Sequence, residues 1–271
     1  KGVKGCNYMI FLQHEKGWDN MLTKTRQKEI LKLLENRGSV TLQELKDHLN
    51  TSESTIRRDL NTLDAQGKLV KVFGGAVAAD NMSIRDEQVS RREEKNLEEK
   101  RLIARYAASL IQDDDFVYLD AGTTTGCMLD YISDATTAVF VTNAPSHAQK
   151  LARKGMEVIL IGGRLKQSTE AVVGEEACRQ IEKFNFSLGF LGSNGVSERS
   201  GFSTPDQDEA MVKKRAIERI HRCFVLCDHT KFYKVSPISF AKLEDAVVLT
   251  DSAPQGNFQE MPNIVEISED E

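Results

Sequence analysis

The sequence predicts an α/β protein with an N-terminal winged helix-turn-helix and a larger, doubly wound α/β domain. Three observations lead to this prediction. Residues 25–66 hold three segments with the helical spacing of apolar residues, and a short hairpin pattern follows them. From Leu102 onward, short apolar runs alternate with helical stretches. A charge-dense stretch over residues 79–101 separates the two patterns, and we expect the domain boundary there.

The composition is that of an ordinary globular protein. The 271 residues are 40% hydrophobic and 28% charged, which suits one large or two ordinary domains. The net charge of −5 excludes a general polycation, so nucleic-acid binding would need a local patch. Residues 21–80 have the required sign, because they contain ten Lys and Arg against eight Asp and Glu.

Cysteine usage and hydropathy predict a cytoplasmic protein without a membrane partner. The five cysteines are scattered and form no CxxC pair, which favours reduced thiols. No apolar run approaches the roughly 20 residues that a membrane span needs. Helical periodicity begins directly after Met21, and we therefore expect residues 1–20 to be a disordered extension.

Two helices precede the segment around which the N-terminal domain is organised. Apolar spacing predicts the first over residues 25–37, followed by a short extended link at 39–40. Thr41 and Glu44 then form a capping box, in which each side chain satisfies a backbone N–H at the helix start. The second helix runs from there to about Leu49.

The third helix, from Ser52 to about Gln66, has two distinct faces. Ile56, Leu60 and Leu63 recur at helical spacing and form an apolar stripe. The other stripe carries hydroxyl, guanidinium and amide groups: Ser54, Arg57, Arg58 and Asn61. Such groups suit phosphate oxygens and base edges, and a helix of this width fits the major groove of DNA. Taken alone, the helix is equally consistent with an ordinary solvated face.

A hairpin pattern completes the N-terminal domain. Residues 68–73 alternate like a strand, Gly74-Gly75 turns, and residues 76–77 return, which predicts a two-stranded wing. Three helices and a basic wing favour DNA binding over the alternative, a helical protein-interaction module. The predicted DNA-binding residues are Thr41, Ser52, Ser54, Thr55, Arg57, Arg58, Asn61, Lys68 and Lys71.

These motifs resemble a known family. STIRRDL followed by KLVKVFGGAV is similar to the signature of the DeoR family of bacterial transcriptional repressors. Lys71 stands where that family more often has Arg, and Lys reaches a phosphate without the bidentate guanine contact of Arg. The resemblance implies that residues 21–78 bind operator DNA.

The stretch between the domains mixes both signs of charge and contains few apolar residues. It predicts a linker over residues 79–101 that passes into an exposed helix. Two interpretations stay open: a lever that couples the two domains, or a solvated connector.

Residues 102–251 predict a mainly parallel sheet covered by helices on both faces. Six apolar runs read as buried strands, at 116–119, 139–141, 158–161, 188–191, 223–226 and 246–249. Helical stretches lie near residues 144–153, 175–183 and 207–221. Ligands in such sheets bind at the carboxyl ends of the strands. Residues 252–271 are predicted to be a polar tail with an acidic, frayed end.

The loop after the first strand has the features of an anion site. A Gly/Thr-rich loop leads into a helix, where backbone N–H groups and hydroxyls converge. The residues concerned are Asp120, Gly122, Thr123, Thr124 and Thr125. Because the loop lacks the Gly-Lys-Thr of a nucleotide P-loop, a single sugar phosphate suits it better. An ordinary strand-to-helix turn would have the same sequence features.

Polar residues at further strand ends extend this candidate site. The set comprises Asn143, Gly162, Gly163, Asn194, Asp206, Glu209, Lys213, Asp228 and Lys231. We expect Asp120, Asn143 and Asp228 to hold sugar hydroxyls. Lys213, Lys231 and the threonines would then hold the phosphate.

The second domain also resembles the DeoR family. DAGTTT, TNA, GG, STPDQDEAMVKK and DHTKF are similar to its effector domain, so the resemblance spans about Met21 to Asp251. It implies a fold like those of ribose-5-phosphate isomerase and glucosamine-6-phosphate deaminase, without catalysis. Tyr233 departs from the pattern, since relatives often have Gly after Lys-Phe.

Within the family, six motifs resemble the fructose-operon repressors of Gram-positive bacteria: ESTIRRDL, KNLEEKRLIARYAASL, YLDAGTTT, FLGSNGV, SGFSTPD and DHTKF. This closer resemblance implies derepression by fructose 1-phosphate, with no other cofactor. Tagatose 6-phosphate is the alternative effector, because lactose-operon repressors are close relatives. The family role further implies a homo-oligomer, at least a dimer, that presents paired recognition helices to repeated half-sites.

The residues also allow two alternatives, a zinc site and a sugar-phosphate isomerase. His221, Cys223, Cys227 and His229 lack the usual zinc spacing, and core packing explains the cysteines more simply. The acids near Asp120 and Asp206, with Lys213, would suffice for aldose–ketose isomerisation. An isomerase has no use for a helix-turn-helix, and we therefore expect a regulator and not an enzyme.

Overall fold

The computed structural model describes residues 23–34, 39–72, 74–78, 88–254 and 256–268. The predicted extension, the end of the first helix and most of the predicted linker lie outside these residues. The chain divides into two compact units, residues 1–81 and 82–271. Within the described residues, no helix combines the length and hydrophobicity that crossing a membrane requires.

The first unit contains three helices around one small core. Residues 23–34 form α1, and α2 (Leu42–Leu49) and α3 (Glu53–Ala65) follow it. One apolar face of each helix is buried, as the periodicity predicts, with fully buried side chains that include Ile30, Leu45, Ile56 and Leu60.

The wing differs in one respect from the predicted hairpin. β2 (Leu69–Val72) and β3 (Gly75–Ala78) pair antiparallel, as expected. The segment predicted as an extended link is itself a strand, β1 (Ser39–Thr41), which pairs with β3 and makes a three-stranded sheet. Three residues of alternating chain carry too little pattern to reveal a strand, because pairing here depends on a partner more than thirty residues away.

The second unit is built on a parallel sheet of seven strands. In chain order these are β4 (Phe116–Leu119), β5 (Val139–Thr142), β6 (Val158–Leu160), β9 (Phe186–Gly192), β12 (Ile220–Leu226), β14 (Val247–Thr250) and β15 (Ile264–Glu266). Their spatial order is β15-β14-β12-β9-β4-β5-β6. Adjacent residues pack on opposite faces, Tyr118 in one core and Val117 in the other. The predicted fold class is therefore confirmed.

Helices and two small antiparallel sheets surround the large sheet. The helices are α4 (Val89–Glu94), α5 (Leu97–Ser109), α6 (Thr123–Met128), α7 (Pro145–Arg153), α8 (Glu175–Ile181), α9 (Gln207–Ile217) and α10 (Asn257–Glu260). One small sheet pairs β7 (Arg164–Lys166) with β8 (Ala171–Val173). The other joins β10 (Gly195–Ser197), β11 (Gly201–Thr204) and β13 (Ile238–Ala241).

The order in which strands are added to the sheet reverses at β4, and this reversal determines where a ligand site can form. From β4 the chain proceeds through β5 and β6 on one side, and through β9, β12, β14 and β15 on the other. The loops leaving β4 and its neighbours diverge above such a switch point and leave a crevice.

Two predicted boundaries differ from the structure. Residues 88–101 belong to the second unit as α4 and the first turn of α5; most of their side chains are exposed, but Lys100 is only 4% exposed. The predicted polar tail contributes a core aromatic, Phe258, and the edge strand β15, which pairs with β14. In both stretches the average composition is polar, and a few well-placed residues still anchor the segment.

Candidate functional site

The third helix presents a polar face opposite its buried stripe. Ile56, Leu60 and Leu63 are at most 1% exposed, whereas Arg57 and Arg58 are exposed. Ser52 caps the helix, because its hydroxyl oxygen accepts from the Thr55 N–H at 3.3 Å. The predicted two-faced helix therefore forms with its cationic side chains at the surface.

The hydroxyl groups at the start of α3 form one cluster. The Ser52 Oγ atom lies 3.0 Å from the Ser54 Oγ atom and 2.9 Å from the Thr55 Oγ1 atom. Arg57 pairs with Glu53 one turn earlier, with 2.6 Å between its Nη2 atom and the Glu53 Oε1 atom. Both partners are more than half exposed, so this pair exchanges easily for a phosphate.

The wing is tied to the polar face of α3. The Lys71 ammonium donates to the Asn61 Oδ1 atom at 2.7 Å, and the Lys71 backbone N–H donates to Asp64 at 3.0 Å. Lys68 is exposed beside it. Lys71 of the wing and Asn61 of α3 are therefore in contact, and Arg57, Arg58 and Lys68 are exposed. Thr41 serves locally instead, since it forms the α2 capping box with Glu44.

One further residue orients this helix and was missed by the sequence analysis. Asp59 is 2% exposed and accepts from the Arg26 guanidinium and from the Gln27 amide, at 3.1 Å for Gln27. Both partners lie on α1, so Asp59 fixes α3 against that helix. Its position within the apolar stripe, three residues after Ile56, was the available signal.

In the second unit, Asp120 and Lys213 meet at the switch point of the sheet. Asp120 follows β4, and Lys213 comes from α9, more than ninety residues later. The Lys213 ammonium donates to the Asp120 carboxylate and to the Gly192 carbonyl oxygen, at 3.0 Å for Gly192. The Gly192 N–H donates back to the Asp120 Oδ2 atom at 3.0 Å. These contacts join α9 to the ends of β4 and β9.

The loop between β4 and α6 is held from below by two buried side chains. The Thr125 hydroxyl donates to the Asp120 carbonyl oxygen at 2.7 Å and accepts from the Gly122 N–H at 3.0 Å. The Asn143 amide accepts from the Ala121 N–H at 2.9 Å and donates to the Val172 carbonyl oxygen at 3.2 Å. Asp120, Thr125 and Asn143 therefore shape the loop.

A cavity of about 280 Å³ lies beside this loop. The starts of two helices line it, through Gly122 and Thr123 of α6 and Ala144 and Ser146 of α7. The N-cap residues Gly122 and Ala144 provide no side-chain hydrogen bond to their helices, although the Thr125 hydroxyl accepts from the Gly122 N–H. The first backbone N–H groups of a helix lack intrahelical partners and carry partial positive charge, which favours an anion. In α7 the first residue is Pro145, so the later N–H groups of its first turn provide this charge.

Charged side chains complete the lining of the cavity. Arg92 of α4, Lys150 of α7, Glu93, Asp130 and Glu170 all contribute to it. Lys150 pairs with Asp130, with 2.7 Å between the Nζ and Oδ1 atoms. Within the part of the chain that the structure describes, the buried Nε atom of Arg92 has no hydrogen-bond partner. Its N–H is therefore a buried donor without a partner among those residues.

His147 is the second cavity residue with an unpaired buried nitrogen. It is 8% exposed, and its Nδ1 atom finds no hydrogen-bond partner among the described residues. Burial lowers the pKa of His147 to about 4, so the imidazole is neutral at pH 7. The sequence does not predict Arg92, Ser146, His147 and Lys150 as site residues, because they lie on segments that it predicts to be a linker or an ordinary helix.

Several predicted residues lie away from the cavity lining. Glu209 accepts from the Thr169, Thr204 and Lys166 side chains, at 3.2 Å for Thr204 and for Lys166, and anchors the β7–β8 hairpin to α9. Gly162 donates its backbone N–H to Gln180 at 2.9 Å. The other members placed in such structural contacts are Gly163, Asn194 and Asp206.

Asp228 and Lys231 form a separate group with the start of α5. The Asn96 amide donates to the Asp228 Oδ1 atom at 2.9 Å. Burial alone would raise the pKa of Asp228, but Lys231 and the hydrogen bonds from Thr230 and Asn96 outweigh it and lower that pKa. Burial lowers the pKa of nearby Lys100, whose ammonium donates to the Arg92 carbonyl oxygen of α4.

The cysteines and histidines considered as metal ligands make other contacts. Burial raises the pKa of Cys223 and Cys227 to about 12. His229 lies 2.6 Å from Asp251, measured between the Nδ1 and Oδ2 atoms. Among the described residues, no group of three or more potential ligands is arranged to hold a metal ion.

A winged helix-turn-helix joined to a doubly wound domain with a ligand-sized cavity defines a DNA-binding regulator with a sensor domain. Residues 26–82 match the DeoR-like helix-turn-helix domain, and residues 95–252 match the DeoR C-terminal sensor domain. The chain belongs to the DeoR family of transcriptional regulators, as its motifs predict. The sensor match begins before residue 102, in agreement with the placement of α5 in the second unit.

Curated relatives support the same assignment over most of the chain. The HTH-type transcriptional regulator FruR of Bacillus subtilis is 40% identical, over 89% of this chain and 96% of its own length. GlpR of Haloferax volcanii is 35% identical, over 89% and 94%. A lactose phosphotransferase system repressor of Staphylococcus aureus is 33% identical, over 89% and 97%. All three are described as transcriptional regulators or repressors.

Solved structures resemble the fold only distantly. A ribose 5-phosphate isomerase A from Methanocaldococcus jannaschii has a TM-score of 0.39 and 14% identity, over 52% of this chain and 56% of its own. The eIF2B delta subunit from Chaetomium thermophilum also has a TM-score of 0.39, with 17% identity, over 78% and 64%. At such scores the likeness carries no argument about function.

Proposed function

We propose that this protein represses a sugar-catabolism operon and is released from its operator by a sugar phosphate that binds the cavity beside α6. The observation that supports this most directly is the convergence of two helix starts and the Arg92 guanidinium on one cavity. Its volume of about 280 Å³ lies near the lower limit of the roughly 300–1,000 Å³ of typical ligand sites, which favours a small ligand.

The lining suits a ligand with an anionic end and a hydroxylated body. Backbone N–H groups of α6 and α7 and the Arg92 guanidinium favour a phosphate. The exposed carboxylates Glu93 and Glu170 line the same cavity and accept hydrogen bonds from hydroxyl groups. A sugar phosphate combines both requirements in one small molecule.

Fructose 1-phosphate is our first choice of effector, and tagatose 6-phosphate is the alternative. The first rests on the similarity to FruR at 40% identity. The second rests on the similarity to the lactose phosphotransferase system repressor at 33% identity.

Helix α4 couples the cavity to DNA binding in this proposal. It is the first described helix after residues 79–87, and it places Arg92 at the cavity. Two contacts hold it in the unit: the Val89 N–H donates to the Ser168 carbonyl oxygen at 3.3 Å, and Lys100 bonds the Arg92 carbonyl oxygen. A ligand that bonds Arg92 changes the position or order of α4, and operator and effector must then weaken each other equally.

On the DNA side, we propose a homo-oligomer that presents one α3 helix to each of two half-sites. Arg57 and Arg58 contact phosphates or bases, and Lys68 and Lys71 of the wing contact phosphates.

Isothermal titration calorimetry with fructose 1-phosphate, fructose 6-phosphate, tagatose 6-phosphate and glycerol 3-phosphate tests the effector. We expect selective binding of fructose 1-phosphate. Loss of a hydrogen bond to a charged group predicts roughly 10- to 100-fold weaker binding in Arg92→Gln. Arg91→Gln, on the exposed side of the same helix, is the matched control and should bind like the wild type. Failure of all four compounds to bind would refute the proposed effector class.

Catalysis is the competing function, because Asp120 and Lys213 bring an acid and a base together at the switch point. An assay with ribose 5-phosphate and glucosamine 6-phosphate distinguishes the two. We expect no turnover, and turnover abolished by Asp120→Ala would establish an enzyme instead.

A further inference from the structure

His147 lies in the effector cavity in an environment that leaves one of its ring nitrogens to a ligand. It lies on α7, one residue after Ser146, and lines the cavity together with Gly126 of α6. A Cβ atom built on Gly126 would lie 2.9 Å from the His147 Nε2 atom. The Nε2 edge of the imidazole therefore rests against the α6 backbone, and only glycine at position 126 admits the ring without a shift.

The other ring nitrogen of His147 makes no hydrogen bond to the part of the chain that the structure describes. The Nδ1 atom of His147 is buried and has no hydrogen-bond partner among the described residues. A buried polar atom without a partner lowers stability, and such atoms in native proteins are usually satisfied by a water molecule or a ligand. Because the ring lines the cavity and makes no hydrogen bond to the described residues, we take a ligand in the cavity as the partner of the imidazole.

The charge state of His147 selects the kind of ligand group. A neutral imidazole presents one donor or one acceptor and no net charge. The cavity already has cationic groups for an anion, in Arg92 and the helix starts. An uncharged, directional nitrogen matches a hydroxyl group, which can donate and accept.

We propose that His147 is a specificity-determining residue of the cavity and that its imidazole hydrogen-bonds one hydroxyl group of the bound sugar phosphate. The inference rests on the proposed function, since it takes the ligand to be a sugar phosphate. It assigns different parts of the ligand to different residues: the phosphate to Arg92 and the helix starts, and one carbon-bound hydroxyl to His147. A site built around such a hydrogen bond rejects analogues that lack the hydroxyl.

Calorimetric titrations of the full chain test this assignment with two probes, fructose 1-phosphate and inorganic phosphate. In His147→Leu, we expect fructose 1-phosphate to bind about tenfold more weakly or worse, since its hydroxyl loses a buried partner. Inorganic phosphate should bind equally to variant and wild type. His147→Asn or His147→Gln, whose amide can replace one ring nitrogen, should recover part of the affinity. His221→Leu, which removes an exposed histidine of β12, is the matched control.

Deoxy analogues of fructose 1-phosphate, each lacking one hydroxyl, provide a test that does not depend on the stability of a variant. The wild type should discriminate strongly against one analogue, and His147→Leu should lose that discrimination alone. Equal weakening of inorganic phosphate and fructose 1-phosphate would overturn the inference, as would wild-type affinity in His147→Leu. Either result would leave the proposed function intact. If the wild-type protein bound no sugar phosphate, this result would refute both the role of His147 and the proposed function.

Discussion

The two units place their functional groups in opposite ways. On α3 the candidate DNA-binding side chains are exposed, and their contacts are local, such as Arg57 with Glu53 one turn away. In the second unit, groups at the switch point are buried and come from distant parts of the chain, such as Asp120 with Lys213. Substitutions in the first region should therefore change binding without stability, whereas substitutions in the second should change both.

The largest effect is expected where a buried charge loses its partner. Lys213→Met leaves the Asp120 carboxylate buried without its cation, which should lower the free energy of unfolding by about 3–5 kcal/mol. Denaturant unfolding of the full chain measures this decrease in the free energy of unfolding. Lys214→Met, the exposed neighbour on α9, should stay within about 0.5 kcal/mol of the wild type. The double variant Asp120→Asn/Lys213→Met should recover much of the loss, and failure to do so would show that packing matters more than charge.

The second effect is a pH dependence from His147. Its pKa is lowered from 6.5 to about 4 by burial, so the unfolded chain binds more protons than the folded chain between these values. The stability that the neutral imidazole contributes is present above pH 6.5 and is lost as the pH falls toward 4. The wild type should lose about 3 kcal/mol more than His147→Leu over this window. Parallel pH profiles for both proteins would contradict the buried, neutral state.

The third effect belongs to the exposed region. Arg57→Ala should lower DNA affinity by about 1–3 kcal/mol while the melting temperature and fructose 1-phosphate binding stay unchanged. Fluorescence anisotropy measures this on a duplex selected by the wild-type protein from a random pool. Lys32→Ala, an exposed cation on α1, controls for net charge. Equal loss of DNA binding and of stability would mean that Arg57 serves folding and not recognition.

The smallest effect concerns Tyr233, which follows Lys231 and Phe232. Tyr233 has a φ of 59°, in the left-handed region, and its ring packs edge-on against Phe258 with 5.1 Å between centroids. Tyr233→Gly relieves strain and loses packing, so stability should change by less than about 1 kcal/mol. Tyr233→Ala loses the packing and keeps the strain, and it should be the less stable variant by about 1 kcal/mol. If Tyr233→Ala unfolded at a higher temperature than Tyr233→Gly, backbone strain at residue 233 would not explain the difference in stability.

The contrast between the units also explains what the sequence could reveal. The stripe of Ile56, Leu60 and Leu63 repeats within three turns, so a short window predicts α3 and its polar face. Apolar runs likewise predict the buried strands and hence the loop after β4. Arg92 could not be assigned in this way, because its role depends on how α4 folds against α6 and α7.

Two further features could not be predicted from the sequence for the same reason. Thr169, Thr204 and Lys166 converge on Glu209 from separate segments, and no local pattern links them. Strand β15 has three residues in a polar stretch, and its pairing with β14 depends on an edge that only the folded sheet presents.

The mutual antagonism of effector and operator is the claim on which the proposal depends. The affinity for a duplex selected from a random pool should be measured with and without saturating fructose 1-phosphate, in wild type and in Arg92→Gln. We predict roughly 5- to 150-fold weaker DNA binding with the sugar phosphate in the wild type, the usual range of such coupling. Arg92→Gln should retain its DNA affinity at the same concentration of sugar phosphate. Unchanged DNA binding by the wild type at saturating fructose 1-phosphate would contradict the account.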